Sequence, residues 1–175
     1  MILNYRECKR IVIVGCAGTG KTALAHRLGR ETGLPVISLD SIWKPWLSAE
    51  EIPDFRSLIT QLHCRDAWIS DGNFALISFD LRLPRADLLV WLERSKLVCA
   101  WRAIRRTFSP GEVHKFRDLP KVLKYIWGFE RISRPLIEAA RMAHGADIPV
   151  VHLSDDPSVA DFVRAFRSGS GCKPR

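Results

Sequence analysis

The chain has 175 residues, 47% of them apolar and 27 of them Lys or Arg against 19 Asp or Glu, for a net charge of +8. That is the size and composition of one globular domain with a sizeable core. No apolar run approaches the roughly 20 residues that cross a bilayer, and the charged stretch Met1 to Arg10 does not read as a signal peptide, so no membrane partner and a cytoplasmic location are expected. Five cysteines (8, 16, 64, 99, 172) and five histidines (26, 63, 114, 144, 152) are scattered without metal-ligand spacing, and the cysteines read as reduced thiols.

The first strand is expected at about 10–14, where Ile11-Val12-Ile13-Val14 forms a short apolar run. It leads into Gly15-Cys16-Ala17-Gly18-Thr19-Gly20-Lys21-Thr22, which fits G-x-x-x-x-G-K-[ST]. A helix of about 21–32 follows, with apolar residues at helical spacing, and ends near Gly33. Strand, glycine loop and helix in that order make an anion site: backbone N–H groups turn inward around a phosphate, and the helix N-terminus adds positive potential. On this pattern Gly15, Ala17, Gly18, Thr19, Gly20, Lys21 and Thr22 cradle ATP, Lys21 reaches the β- and γ-phosphates, and the Thr22 hydroxyl ligates Mg²⁺.

A second strand, Leu34 to Leu39, stops at Asp40. Residues 41–54 read as irregular, broken by Pro45 and Pro53, with Trp43 and Trp46 either packing a helix or forming a stacking wall. A helix is expected at about 54–64 and a third strand at 67–70, ending at Asp71-Gly72-Asn73. Residues 74–85 read as a weakly defined connection, and 86–92 as the fourth strand. A helix over 95–108 carries Arg102, Arg105 and Arg106 and is broken at Ser109-Pro110-Gly111. A long helical stretch, about 118–143, carries Arg131 and Arg134, with a kink expected at Pro135; its Trp127 and Phe129 are core or interface residues. The fifth strand is placed at 148–153, and Asp155 or Asp156 caps a last helix from Pro157. Residues 168–175 read as a polar tail. Strands alternating with helices predict an α/β fold with a parallel sheet.

In such a sheet, ligands bind beyond the carboxyl ends of the strands. Asp40 and Asp71, at two strand ends, are therefore expected near the phosphate loop, where a carboxylate can hold Mg²⁺ through water or accept a proton from an attacking hydroxyl. Eleven Lys/Arg and three Asp/Glu fall between Arg94 and Arg134, so this segment carries the whole net charge. A lid clamping phosphates would produce this imbalance, as would a surface that binds nucleic acid.

The phosphate loop, Leu39-Asp40 followed by Trp43-Lys44-Pro45, and Trp68-Ile69-Ser70-Asp71-Gly72-Asn73 resemble the bacterial DNA topology modulation proteins, an adenylate-kinase-like family of P-loop proteins, over about residues 10–166. The resemblance implies a P-loop three-layer sandwich, with a five-stranded parallel sheet of order 2-3-1-4-5. It implies one domain, 1–167, with an acceptor-side segment at 41–65 and a lid at 102–134. Asp71-Gly72 matches the Asp-Gly that lies near metal and acceptor in adenylate kinases. Arg102, Arg105 and Arg106 match arginines that begin the lid, and Arg131 or Arg134 those at its far end. Where adenylate kinases continue with Phe-Pro-Arg, this chain has Asn73-Phe74-Ala75, so the arginine that grips an acceptor phosphate is missing and AMP is not the expected acceptor. The lid has no four-cysteine zinc pattern, and the chain has no recognisable DNA-binding module. Three activities are open at this point: transfer of phosphate to an unidentified small molecule, a nucleotide-dependent ATPase or regulator, and a nucleic-acid binder.

Overall fold

The computed structural model describes residues 4–42, 51–108 and 118–168. Trp43 to Trp46, the Ser109-Pro110-Gly111 break, Cys172 and nearly all of the predicted tail lie outside them. The strands are β1 (Arg10–Gly15), β2 (Val36–Ser38), β3 (Trp68–Asp71), β4 (Leu88–Leu92) and β5 (Val150–Leu153). They form one parallel sheet of order β2-β3-β1-β4-β5, the order that the resemblance implies. The helices are α1 (Lys21–Thr32), α2 (Leu39–Ile42), α3 (Ile52–His63), α4 (Ala75–Arg82), α5 (Lys96–Thr107), α6 (Leu119–Gly128), α7 (Ser133–Gly145) and α8 (Asp156–Ser168).

The two-residue period of the strands divides the core in two. Ile11 and Ile13, with Ile69, Val90 and Leu92, pack against Leu24 and Leu28 of α1 and Phe162 and Phe166 of α8. Val12, Val14, Leu89, Trp68 and Trp91 face the other way, onto Phe55 and Ile59 of α3, Phe79 of α4, Cys99 and Ala103 of α5, Ile126 of α6 and Ile137 of α7. Every residue from Ile11 to Val14 is buried, because helices cover both faces of the central strand.

Three sequence expectations need correction. Residues 74–85 are not a loose connection: α4 fills 75–82, followed by a 3-10 turn, Leu83–Arg85. Its buried face is Ser78, Phe79 and Arg82, so two polar residues interrupt the apolar period that would reveal it. The long stretch is two helices, and the break falls after Gly128, not at Pro135. There the Arg131 and Ile132 N–H groups both donate to the Gly128 carbonyl, and Ser133 N–H to Phe129. Pro135 sits in the first turn of α7, where its missing N–H costs nothing. β2 ends at Ser38, two residues before Asp40, which lies in the first turn of α2. On the same long stretch, Phe129 is buried while Trp127 is about half exposed.

Candidate phosphate-binding site

Gly15 closes β1 with φ +147°, and a Cβ there would run into the Leu92 carbonyl oxygen of the neighbouring β4. The chain then turns through Cys16 to Gly20, pinned from inside by Thr19, whose N–H and hydroxyl both donate to the Cys16 carbonyl, at 3.3 and 2.8 Å. Gly20, with φ +99°, caps α1 in a left-handed conformation that L side chains rarely adopt. The first-turn N–H groups of α1 have no upstream carbonyl within the helix and remain available to an anion. Lys21 is buried, its Nζ donating to the carbonyls of Gly15 (3.0 Å) and Cys16 (3.1 Å). The Cys16 thiol points away from solvent, and a hydrogen bond to Cys99, with burial, holds it protonated. The loop therefore offers an anion its backbone and Lys21, not a nucleophilic sulfur.

Asp71, last residue of β3, is fully buried, and the Thr22 hydroxyl donates to its Oδ2 at 2.6 Å. Burial pushes the Asp71 carboxyl above its ordinary range; the Thr22 hydrogen bond and the Lys21 ammonium pull it back, and the Asp40 charge pushes it further up. Its Oδ1 is buried with no hydrogen-bond partner among the described residues. A hydroxyl and a carboxylate with one unmatched oxygen are the hard donors that Mg²⁺ takes, so the pair fits that ion.

A cavity of about 540 Å³ opens above the loop. Ala17, Gly18, Gly20, Lys21 and Thr22 of the loop and α1 line it, together with Arg102 and Arg106 of α5 and with Asp40, Phe74 and Tyr125. Arg102 donates to the Thr19 carbonyl at 3.3 Å and pairs with Asp156 at 3.4 Å, which holds it over the loop. Sequence-predicted residues from three separated segments thus meet at one cavity. Arg105, Arg131 and Arg134 are not in its lining. Arg134 instead pairs with Glu93 (2.7 Å) and Glu130 (3.1 Å) and lies over the Trp91 ring.

Sequence reading missed three residues here. Asn73 accepts from the Gly15 N–H at 3.0 Å and donates to the Gly15 carbonyl at 2.9 Å and the Tyr125 hydroxyl at 2.9 Å. Tyr125 lines the cavity from α6. Phe74 also lines it, in the left-handed region at φ +31°. For Asn73 the signal was present: it follows the Asp-Gly directly and stands where an adenylate kinase has Phe. For Tyr125 there was none, since it is separated by 52 residues from the group it bonds.

Comparison with known proteins agrees with this fold. The family model described as isopentenyl transferase matches residues 8–44, the strand–loop–helix unit and β2. No curated protein sequence matches the chain significantly. Among solved structures, shikimate kinase from Acinetobacter baumannii in complex with shikimate is similar at 18% identity and a TM-score of 0.59, with 91% of each chain covered. A shikimate kinase from Bacteroides thetaiotaomicron is similar at 17% identity and a TM-score of 0.58, covering 91% of this chain and 97% of that one. A gluconokinase from Sinorhizobium meliloti 1021 gives 19% and 0.53, over 92% and 90%. The chain shares the α/β P-loop fold of these structures, with a five-stranded parallel sheet of order β2-β3-β1-β4-β5. The resemblance to DNA topology modulation proteins gains no support from these matches. Among the described residues no helix is long and apolar enough to cross a membrane.

Proposed function

We propose that the chain is an ATP-dependent phosphotransferase that moves the γ-phosphoryl group to a small-molecule acceptor. One observation carries this reading: a single cavity is lined by the phosphate loop, by two arginines of α5 and by a carboxylate, Asp40. Phosphoryl transfer asks little covalent chemistry of a protein; it asks for positioning and for cations around the developing charge. The loop N–H groups of residues 17–22 and the Lys21 ammonium bind the β- and γ-phosphate oxygens. Arg102 and Arg106 neutralise charge on the transferred group. Asp40 orients the acceptor hydroxyl or takes its proton. Thr22 and Asp71 would hold Mg²⁺, which would supply charge neutralisation at the phosphates.

In this reading the domain runs over 1–167, with 41–65 serving the acceptor and 102–134 closing over the nucleotide in a cytoplasmic enzyme. Closure would exclude water, so that the acceptor and not water is phosphorylated. Arg105, Arg131 and Arg134 enter only if closure carries them inward. The resemblance to DNA topology modulation proteins rests on the sequence segments alone and adds no DNA role.

The test is ADP release, screened over nucleosides, nucleoside monophosphates and small alcohols, with Lys21→Ala as control. One acceptor class should raise turnover well above the basal rate, and Lys21→Ala should abolish the rise. Equal turnover with every compound would leave an ATPase or regulator instead.

A further inference from the structure

Arg82, at the end of α4, is fully buried, and none of the steps above uses it. A buried guanidinium is expensive, and a well-packed apolar side chain of similar volume is often as stable or more so. Its Nη donors are spent on one object, while Nε has no partner among the described residues. Nη1 donates to the Ser70 hydroxyl (3.0 Å) and the Gly72 carbonyl (3.0 Å); Nη2 donates to the Gly72 carbonyl (3.0 Å) and the Asn73 carbonyl (2.7 Å). Those carbonyls lie just past the end of β3, beyond its last register pair, Ile13 with Asp71. The backbone there takes a positive φ on both sides of Asn73, at Gly72 (+131°), where glycine accommodates it, and at Phe74 (+31°), where a side chain makes it strained.

The far side of the network is also closed. The His63 Nδ1 lies 2.7 Å from the Ile59 carbonyl and its Nε2 lies 2.9 Å from the Ser70 hydroxyl. Nδ1 therefore carries the proton, and Ser70 donates to Nε2 while accepting from Arg82. The chain of hydrogen bonds runs from α3 to the turn that carries Asp71 and Asn73. Those two residues in turn hold Thr22 and Gly15.

We propose that Arg82 is a positioning residue, which holds the Asp71-Gly72-Asn73 turn in the geometry that sets the Asp71 carboxylate against Thr22. The proposal rests on the phosphotransferase reading, because it assigns Arg82 to the metal side of the same site. It separates two properties that a general loss of stability would not separate. Affinity for ATP without metal depends on the loop and Lys21, whereas the gain in affinity on adding Mg²⁺ depends on where Asp71 stands.

The experiment measures, by calorimetry, the dissociation constant of ATP in EDTA and of ATP with Mg²⁺ for wild type, Arg82→Met, Arg82→Lys and Ser70→Ala, each checked for a cooperative thermal transition. Arg82→Met should lose about 10–100-fold of the Mg²⁺-dependent gain, the usual cost of removing a group that orients a metal ligand. Its metal-free ATP affinity should stay within about fivefold, the equivalent of one lost hydrogen bond. Arg82→Lys should recover part of the gain, and Ser70→Ala should lose a smaller part. An unchanged gain in folded Arg82→Met, or an equal loss with and without metal, overturns the proposal. If Arg82→Met does not fold, an unchanged gain in both Arg82→Lys and Ser70→Ala overturns it. Wild type that binds no ATP at all would defeat the phosphotransferase reading, a different result from wild type and Arg82→Met binding Mg²⁺-ATP alike.

Discussion

Asn73 treats Gly15 as a neighbouring strand would. The parallel register pairs Ile13 with Asp71 and, carried two residues further, brings Asn73 beside Gly15, after ladder pairing has ended. There the side-chain amide takes over, accepting from the Gly15 N–H and donating to the Gly15 carbonyl. The first glycine of the phosphate loop is thus fixed by a side chain, and the second Nδ2 hydrogen fixes Tyr125 of α6.

Asn73→Asp should therefore weaken ATP binding. The carboxylate can still accept from the Gly15 N–H and can accept from the Tyr125 hydroxyl, but it cannot donate to the Gly15 carbonyl, and it sets a negative charge beside the phosphates. One lost hydrogen bond at about 0.5–1.5 kcal/mol, with the added charge, gives a Kd raised by roughly tenfold. Titration calorimetry with ATP checks this; a Kd within twofold of wild type would show that the amide is dispensable.

Gly15→Ala and Gly20→Ala should differ in kind. At Gly15 the new Cβ meets the backbone of Leu92, which cannot yield without disturbing β4, whereas at Gly20 the nearest atom is the Arg102 guanidinium at 3.7 Å. Gly20→Ala carries only the strain of a positive φ, on the order of 1–3 kcal/mol. Gly15→Ala adds a clash in the sheet and should melt well below it. Comparable melting temperatures in the two variants would contradict the packing described.

The buried Asp71 carries a stability cost that depends on pH. Its folded pKa is raised above the ordinary carboxylate value of 3.8, with burial the largest cause. The folded state accordingly gains stability from this group below that pH and loses it as pH rises through the folded pKa. In EDTA, Asp71→Asn should melt above wild type at neutral pH, and the difference should vanish toward pH 3.8, as scanning calorimetry across that range would show. The same variant should lose the Mg²⁺-dependent part of ATP affinity.

His63 works in the opposite direction. Burial, with the Arg82 and Arg85 charges, lowers its pKa from 6.5 to about 4 against the pull of the Ile59 carbonyl. The unfolded chain takes up a proton near pH 6.5 that the folded protein refuses, so wild type should lose stability as pH falls from 6.5 toward 4. His63→Gln should flatten that part of the melting-temperature profile. A parallel slope in both proteins would count against a neutral His63.

Arg102 and Arg134 belong to the same basic segment and should behave differently. Arg102→Ala should cut stimulated ADP release on the order of 10³-fold with little change in melting temperature, as expected for an arginine at the transferred phosphoryl group. Arg134→Ala should leave turnover nearly unchanged and cost no more than about 1 kcal/mol, since its partners are partly exposed. Assay and thermal melt on both variants decide the matter.

The phosphate loop was legible because its spacing is fixed by backbone chemistry: glycines where φ is positive, Lys21 and Thr22 at the helix start. The sheet order followed from the resemblance, and Asp71 from its place at a strand end. What stayed hidden has physical causes. α4 hides because Arg82 and Ser78 occupy its buried face, so a polar network replaces the apolar stripe on which sequence reading depends. The break after Gly128 hides behind the more conspicuous Pro135, which a helix tolerates in its first turn. Arg134 looked like part of a clamp because sequence gives the sign of a charge but not its partners, Glu93 and Glu130. Asn73 and Tyr125 meet only in three dimensions.

The sheet's two borders have a bearing on assembly. β2 has three residues and β5 four, while the longer strands β1 and β4 each have a neighbour on both sides. Strands that short offer an incoming chain few unpaired N–H and carbonyl groups, which protects against edge-to-edge aggregation. Among the described residues the large exposed apolar side chains lie on or beside helices instead, as with Leu97, Trp101 and Phe108 of the α5 region.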